Sequence, residues 1–155
     1  MAEMKIKLDP GATLPTRAHE TDAGLDLYSR EIKVIWPMES RLTIENGIEL
    51  HLGGGTSFDT GVHIELPHGY FGKIESKSGL NVKHSVVSCG GVIDEGYTGS
   101  IVVKLYNFGV KPYTVHKGDK IAQLVIMPYL APKLELVSAL DDTDRGDNGF
   151  GSTGK

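Results

Sequence analysis

Cysteine is nearly missing from this chain. Cys89 stands alone among 155 residues, so no disulfide can form within one copy, and the composition suits a reducing compartment. Long apolar runs are missing as well. Nothing approaches the roughly 20 residues of a membrane-spanning helix, and the opening MAEMKIKLDP, where charged and apolar residues alternate, does not read as a signal peptide. Nor is there a basic excess: 16 Lys and Arg against 20 Asp and Glu leave a formal charge of −4, which weighs against nucleic-acid binding. The six histidines, at 19, 51, 63, 68, 84 and 116, are scattered rather than clustered at zinc-site spacings. Finally, no stretch sustains the 3.6-residue period of an amphipathic helix over about 11 residues. What survives these exclusions is a soluble, cytoplasmic, mostly β protein of one domain.

Glycine, at 20 residues, is plentiful. Between the glycines lie short runs rich in β-branched and aromatic residues: EIKVIW (31–36), GVHIEL (61–66), YFGKIES (70–76), SIVVKLYNF (100–108), YTVHKG (113–118) and KIAQLVIM (120–127). Turn residues punctuate them about every ten residues, the pattern of an all-β sandwich or barrel. In LTIENGIELHL (42–52), Asn46-Gly47 reads as the two-residue turn of a hairpin. SGLNVKH (78–84) is the one candidate helix, with Ser78 placed to cap it. The expected body runs over 1–137. Beyond it, SALDDTDRGDNGFGSTGK holds too few apolar residues to offset its ordering entropy, so 138–155 is expected to be a mobile tail.

That tail contains a false signal. Gly149 and Gly154-Lys155 fit the G-x-x-x-x-G-K of a phosphate-binding loop, but no Ser or Thr follows the Lys, and neither a helix nor a buried parallel strand flanks it. Its chemistry is nonetheless phosphate-directed. Arg145 offers a planar fork, Ser152 and Thr153 offer hydroxyls, and the glycines allow close backbone approach. Phe150, alone among small residues, is suited to stack on a base.

Five segments occur in order: AGLDLYS (23–29), SKSGL (76–80), GGVIDEGYTGSI (90–101), GDKIAQLVI (118–126) and RGDNGFGSTG (145–154). Together they resemble the five motifs of the trimeric dUTP pyrophosphatases (dUTPases). The resemblance implies a jelly-roll or β-barrel-like subunit with at most one short helix. It also implies a homotrimer with three active sites shared between chains, and a C-terminal tail that closes over a neighbour's site. The reaction implied is hydrolysis of dUTP to dUMP and pyrophosphate at the α-phosphorus, which limits uracil in DNA and supplies dUMP for dTMP synthesis.

On this resemblance Asp94 matches the water-activating aspartate, a role that suits a carboxylate ionised at neutral pH. Tyr97 matches the ring beneath the deoxyribose that leaves no space for a 2′-hydroxyl. Gly91, Val92 and Ile93 would read uracil through backbone groups of a hairpin. Lys77, Ser78 and Gly79 match the phosphate-holding second motif. Many members carry Arg where Lys77 stands, so the bidentate fork is lost there. Gln123 matches a donor toward the phosphates, and Asp26 an aspartate expected near the metal's water shell or a neighbour's Arg145. Arg145, Phe150, Gly151, Ser152 and Thr153 match the closing lid. Mg²⁺ is the implied cofactor, held largely by substrate phosphates and water.

The link between the first two motifs is longer than is usual in the family. The excess falls on the expected hairpin at 41–56, whose apolar faces would need cover. Some phage members also bind regulatory proteins, which makes this segment a candidate surface for such a partner. The rival activity is that of dCTP deaminase, which shares the fold. It needs a glutamate acid/base, and Glu95, next to Asp94, would point to the opposite face of a strand.

Overall fold

The structure is a computed structural model and describes residues 3–34 and 40–147. Among these residues thirteen strands and one helix follow in order: β1 Lys5–Leu8, β2 Gly24–Tyr28, β3 Glu31–Val34, β4 Ser40–Thr43, β5 Ile48–Leu50, β6 Gly55–Asp59, β7 Val62–Glu65, β8 Tyr70–Ser76, α1 Ser78–His84, β9 Val86–Ser88, β10 Val92–Ile93, β11 Val102–Asn107, β12 Tyr113–Val115 and β13 Lys120–Pro128. Every pairing is antiparallel. A four-stranded sheet runs β10-β8-β13-β2 and a five-stranded sheet runs β4-β3-β6-β11-β9, with two ribbons, β1-β7 and β12-β5, beside them. The all-β jelly-roll expectation holds.

Period-2 patterning explains the assembly. In β11 Val103, Leu105 and Asn107 turn inward while Lys104 turns out, and in β8 Ile74 is buried between half-exposed or exposed neighbours. Leu25, Leu27, Ile74, Ile93 and Leu124 of the smaller sheet share one core cluster with Ile32, Phe58, Val103, Leu105 and Val86 of the larger. Two sheets that each bury one face in a common core make a sandwich. Phe58 has no exposed surface at all.

Three local expectations need correction. Asn46-Gly47 closes no hairpin: β4 pairs with β3, whereas β5 pairs with β12. Only Gly47 takes positive φ, at 85°, and the two-residue turn requires it of both central residues. With β12 available as a partner, β5 joins a different ribbon. Ile44 and Leu50 are consequently buried and Ile48 packs against the same core, so these apolar residues of 41–56 are covered by their own chain. Next, the helix spans 78–84 as expected, but Lys77 is its N-cap and no side chain caps it, so Ser78 is its first residue. Last, the final strand ends at Pro128, and Leu130, Leu134 and Leu136 are almost fully exposed. The exposed arm therefore begins at Tyr129, eight residues before 137.

Candidate active site

The motif residues fall into two groups. The first forms where β2, β13 and the β8–α1 junction meet. Asp26 sits in β2 between Leu25 and Leu27 and is itself only 3 % exposed. Lys77 Nζ lies 2.5 Å from its Oδ1 and Lys120 Nζ lies 2.8 Å from its Oδ2. Burial pushes the Asp26 carboxyl up, but the hydrogen bonds and charges of Lys120 and Lys77 outweigh it and hold it below the ordinary value. Asp26 in turn raises the Lys120 ammonium.

Gln123 opposes Asp26 in the β13–β2 register, and its Nε2 donates to the Ser76 carbonyl at 3.1 Å. One amide proton is thus engaged with the backbone just before Lys77, and a second remains. Its side chain needs the space over Gly24, where an added Cβ would fall 2.2 Å from Oε1. Ser78 and Gly79 form the uncapped first turn of α1.

The second group lies on the open edge of the same sheet. Ile93 is buried and Val92 is 62 % exposed. The Gly91 carbonyl accepts from Ile74 N–H at 3.0 Å. Backbone groups alternate sides along an antiparallel strand, so the N–H and C=O of Val92 face away from β8. The expected uracil-reading hairpin is therefore a two-residue edge strand paired to β8, not a self-paired hairpin. A cleft of about 350 Å³ bounded by Lys73, Ile74, Ser88, Gly90, Gly91 and Val92 opens on one flank. On the other flank is a cleft of about 390 Å³ lined by Phe71, Val92, Asp94, Glu95, Gly96 and Tyr129.

Asp94 is exposed at the head of a turn closed by Tyr97 N–H on the Asp94 carbonyl at 3.0 Å. Because 94–97 is a turn, Glu95 does not occupy the opposite face of a strand. It is instead held by His68 Nδ1, Gly69 N–H and Tyr129 Oη, each at 2.9 Å. These bonds, the one with His68 foremost, lower its carboxyl to about 2. Tyr97 donates through its hydroxyl to the Ser100 carbonyl at 3.0 Å, and its ring lies over Gly99, where a Cβ would be 2.5 Å from Oη. Ser100 Oγ donates to buried Asp59, which anchors the strand of chain that carries the ring.

One chain does not bring the two groups together. β10 and β2 are three strand spacings apart, about 14 Å. Asp94 continues four residues past the row shared by Asp26, Gln123 and Glu75, about another 14 Å. The separation is about 20 Å across the sheet. Arg145 is exposed on the arm, by a turn in which Gly146 N–H donates to Thr143. Phe150, Gly151, Ser152 and Thr153 lie outside the described residues.

The dUTPase family model matches residues 11–154. The chain belongs to the dUTPase family. It is 45% identical over 157 aligned residues to the deoxyuridine 5′-triphosphate nucleotidohydrolase of Clostridium acetobutylicum, covering 99% of this chain and 98% of that one. It is 43% identical over 149 residues to the human mitochondrial enzyme of the same name, covering 96% of this chain but about half, 53%, of that longer one. Among solved structures, the dUTPase of Staphylococcus bacteriophage 80alpha with dUpNHpp superposes at a TM-score of 0.83, with 27% identity and full coverage of both chains. The phage phi11 dUTPase, whose structure describes coordination of a structural Mg(II) ion, superposes at 0.73 with 26% identity, over 89% of this chain and 98% of that one.

Within this dUTPase, three features escaped the sequence. Lys120 is separated from Gln123 by an odd number of positions and should face the other way. A bulge between Lys120 and Ala122 buries Ile121 and Ala122 in succession and turns Lys120 onto the Asp26 face. Gly24 and the Glu95–His68–Tyr129 contacts are long-range pairings with no local signature.

No three His, Cys, Asp or Glu side chains converge as a metal site among the described residues. Asp26 is already matched by two ammonium groups. This donor set fits a Mg²⁺ carried on substrate oxygens better than one caged by protein. No helix among the described residues is long and apolar enough to cross a membrane.

Proposed function

We propose that this dUTPase hydrolyses dUTP to dUMP and pyrophosphate, with Asp94 orienting and deprotonating the water that attacks the α-phosphorus. The observation that carries the reading is the setting of Asp94: an exposed carboxylate at the head of a turn. It stands beside the open backbone groups of Val92 on one side and Tyr97 on the other. A base must reach its water, and a buried or ion-paired aspartate could not. Asp26 is of that second kind, so its part is to hold Lys77 and Lys120 in place as the cations that face phosphate.

The N–H and C=O of Val92, flanked by Gly91 and Ile93, match the donor and acceptor edge of uracil. Tyr97, fixed through Ser100, excludes a ribose 2′-hydroxyl by overlap. Lys77, with the first-turn amides of Ser78 and Gly79 and the second amide proton of Gln123, receives the phosphates. Mg²⁺ bound to the triphosphate neutralises charge and fixes its shape. Because Asp94 and Lys77 are so far apart in one chain, the complete site joins groups from different copies of a homotrimer. Arg145, Phe150, Gly151, Ser152 and Thr153 arrive on the arm of a neighbour, with 138–155 acting as the lid. In the cell the reaction would limit uracil in DNA and provide dUMP for dTMP synthesis.

The deaminase alternative is disfavoured by Glu95. A glutamate that shuttles protons must change protonation near neutral pH, whereas this one is held at about 2. Pyrophosphate release with Mg²⁺ from dUTP, dCTP, dTTP and UTP, measured side by side, tests the reading. Release from dUTP alone is expected. Asp94→Asn should lower kcat by about 10²- to 10⁴-fold with the fold intact. Ammonia from dCTP, or an active Asp94→Asn protein, would overturn it.

A further inference from the structure

We propose that Glu95 is a positioning residue for Asp94, clamping the 94–97 turn to the 67–69 loop and to the root of the C-terminal arm. The inference rests on the reading of Asp94 as the base.

The need for a clamp follows from what Asp94 lacks. Its carboxylate makes no hydrogen bond among the described residues, and the turn that carries it has an exposed Gly96 with open space around it. The Tyr97 N–H closes the turn and the Tyr97 hydroxyl holds its far end to Ser100, but neither constrains the near end that carries the Asp94 carboxylate. The next residue supplies the missing constraint. Both Glu95 oxygens are engaged: Oε1 with His68 Nδ1, and Oε2 with Gly69 N–H and Tyr129 Oη. The partners are themselves joined, since Tyr129 N–H donates to the Gly69 carbonyl at 3.0 Å. Tyr129 also meets Phe71 edge to face, with ring centroids 6.4 Å apart. The result is a closed ring of contacts, Glu95–Gly69–Tyr129, on the wall of the cleft into which Asp94 faces.

Two further facts separate this arrangement from an ordinary surface ion pair. It combines two charge-assisted bonds from an amide and a hydroxyl, whose donors are held by the backbone and by ring packing rather than by flexible stems. The Tyr129 hydroxyl is raised by its bond to Glu95 first, then by burial, with the charges of Glu95 and, last, Asp94 adding to the same direction. Tyr129 is moreover the first residue after β13, where the arm leaves toward Arg145. The clamp therefore fixes the base turn and the origin of the arm with one carboxylate.

The test compares Glu95→Ala, Glu95→Gln and Tyr129→Phe in the full-length protein, with Asp94→Asn alongside. Glu95→Ala should lower kcat by about 10- to 100-fold, the effect of misplacing a reacting group by about 1 Å. KM for dUTP and the affinity for a non-hydrolysable dUTP analogue should stay within about twofold, because base and phosphates are read elsewhere. Glu95→Gln should recover most of kcat, since its carbonyl oxygen still accepts from Gly69 and Tyr129. Tyr129→Phe should lower kcat severalfold, and adding it to Glu95→Ala should cost nothing further, the signature of one shared network. Wild-type kcat in Glu95→Ala would overturn the inference, as would a KM effect without a kcat effect. Additive losses from Glu95→Ala and Tyr129→Phe would overturn it too. If Glu95→Ala does not fold, the Tyr129→Phe and Glu95→Gln kinetics decide: unchanged kcat in Tyr129→Phe sinks the clamp. An inactive Asp94→Asn beside a fully active Glu95→Ala rejects the clamp alone, whereas an active Asp94→Asn rejects the base and the clamp with it.

Discussion

Glycine at position 79 answers to nothing inside its own chain. Its φ is not positive, and a Cβ built there would meet no atom within 4 Å. It also occupies the first turn of α1, and glycine in a helix is less favourable than alanine, by up to about 0.5–1 kcal/mol in an interior. A residue that weakens its helix without relieving any crowding is accounted for by something that approaches from outside, which under the present reading is a phosphate. Gly79→Ala separates the two demands. The melting temperature should hold or rise slightly, while KM for dUTP should rise severalfold as the methyl blocks close approach. An unchanged KM would remove Gly79 from the phosphate site. The motifs that hold Lys77, Asp94 and Tyr97 were legible in the sequence because their composition and spacing are local. Lys120 and the Glu95 contacts were not, since a bulge and a pairing 34 residues apart decide them.

At the scale of elements, the strands rich in β-branched and aromatic residues were readable almost to the residue. YFGKIES matches β8 throughout, and KIAQLVIM differs from β13 by one position. The misreading at Asn46-Gly47 has a physical cause: a turn signal specifies a bend, but pairing depends on which partner is in reach, and β5 finds β12. Buried Asn107 secures that arrangement from the end of β11. Its Nδ2 donates to the carbonyls of Leu50 and Lys111, both at 2.8 Å, while Oδ1 accepts from Gly109 N–H at 2.8 Å. The side chain thus ties β5 to the 108–112 connection that leads into β12. Asn107→Leu keeps the branching but adds bulk and removes all three bonds. The one to Leu50 is buried and those to Lys111 and Gly109 are half-buried, and a group left unsatisfied by burial costs about 1–3 kcal/mol. A loss of about 3 kcal/mol in the urea midpoint analysis is expected, with no change in KM for the protein that remains folded. A loss below about 0.5 kcal/mol would mean that the β5–β12 ribbon is secured by its own pairing instead.

At the scale of the whole molecule, the separation of the motif residues is itself informative. The jelly-roll places Asp94 and Asp26, the partner of Lys77, at opposite corners of one sheet, about 20 Å apart, and no hinge in a close-packed sandwich of this kind brings them together. On the proposed reading, in which these motifs act on one triphosphate, they come from different copies. That consequence can be measured without a structure of the assembly. Asp94→Asn and Lys77→Ala chains should each be nearly inactive alone. Co-expressed with different tags and purified through both, they form mixed oligomers in which some sites draw Asp94 from the Lys77→Ala chain and Lys77 from the Asp94→Asn chain. In a mixed trimer one of the three shared sites has both groups intact, so recovery of about a third of wild-type activity is expected. If every site were built within a single chain, each would carry one lesion or the other, and mixing would restore nothing. Recovery would therefore assign the base and the phosphate cation to different subunits, and its absence in verified mixed oligomers would require a rearrangement of the sheet that the core packing opposes.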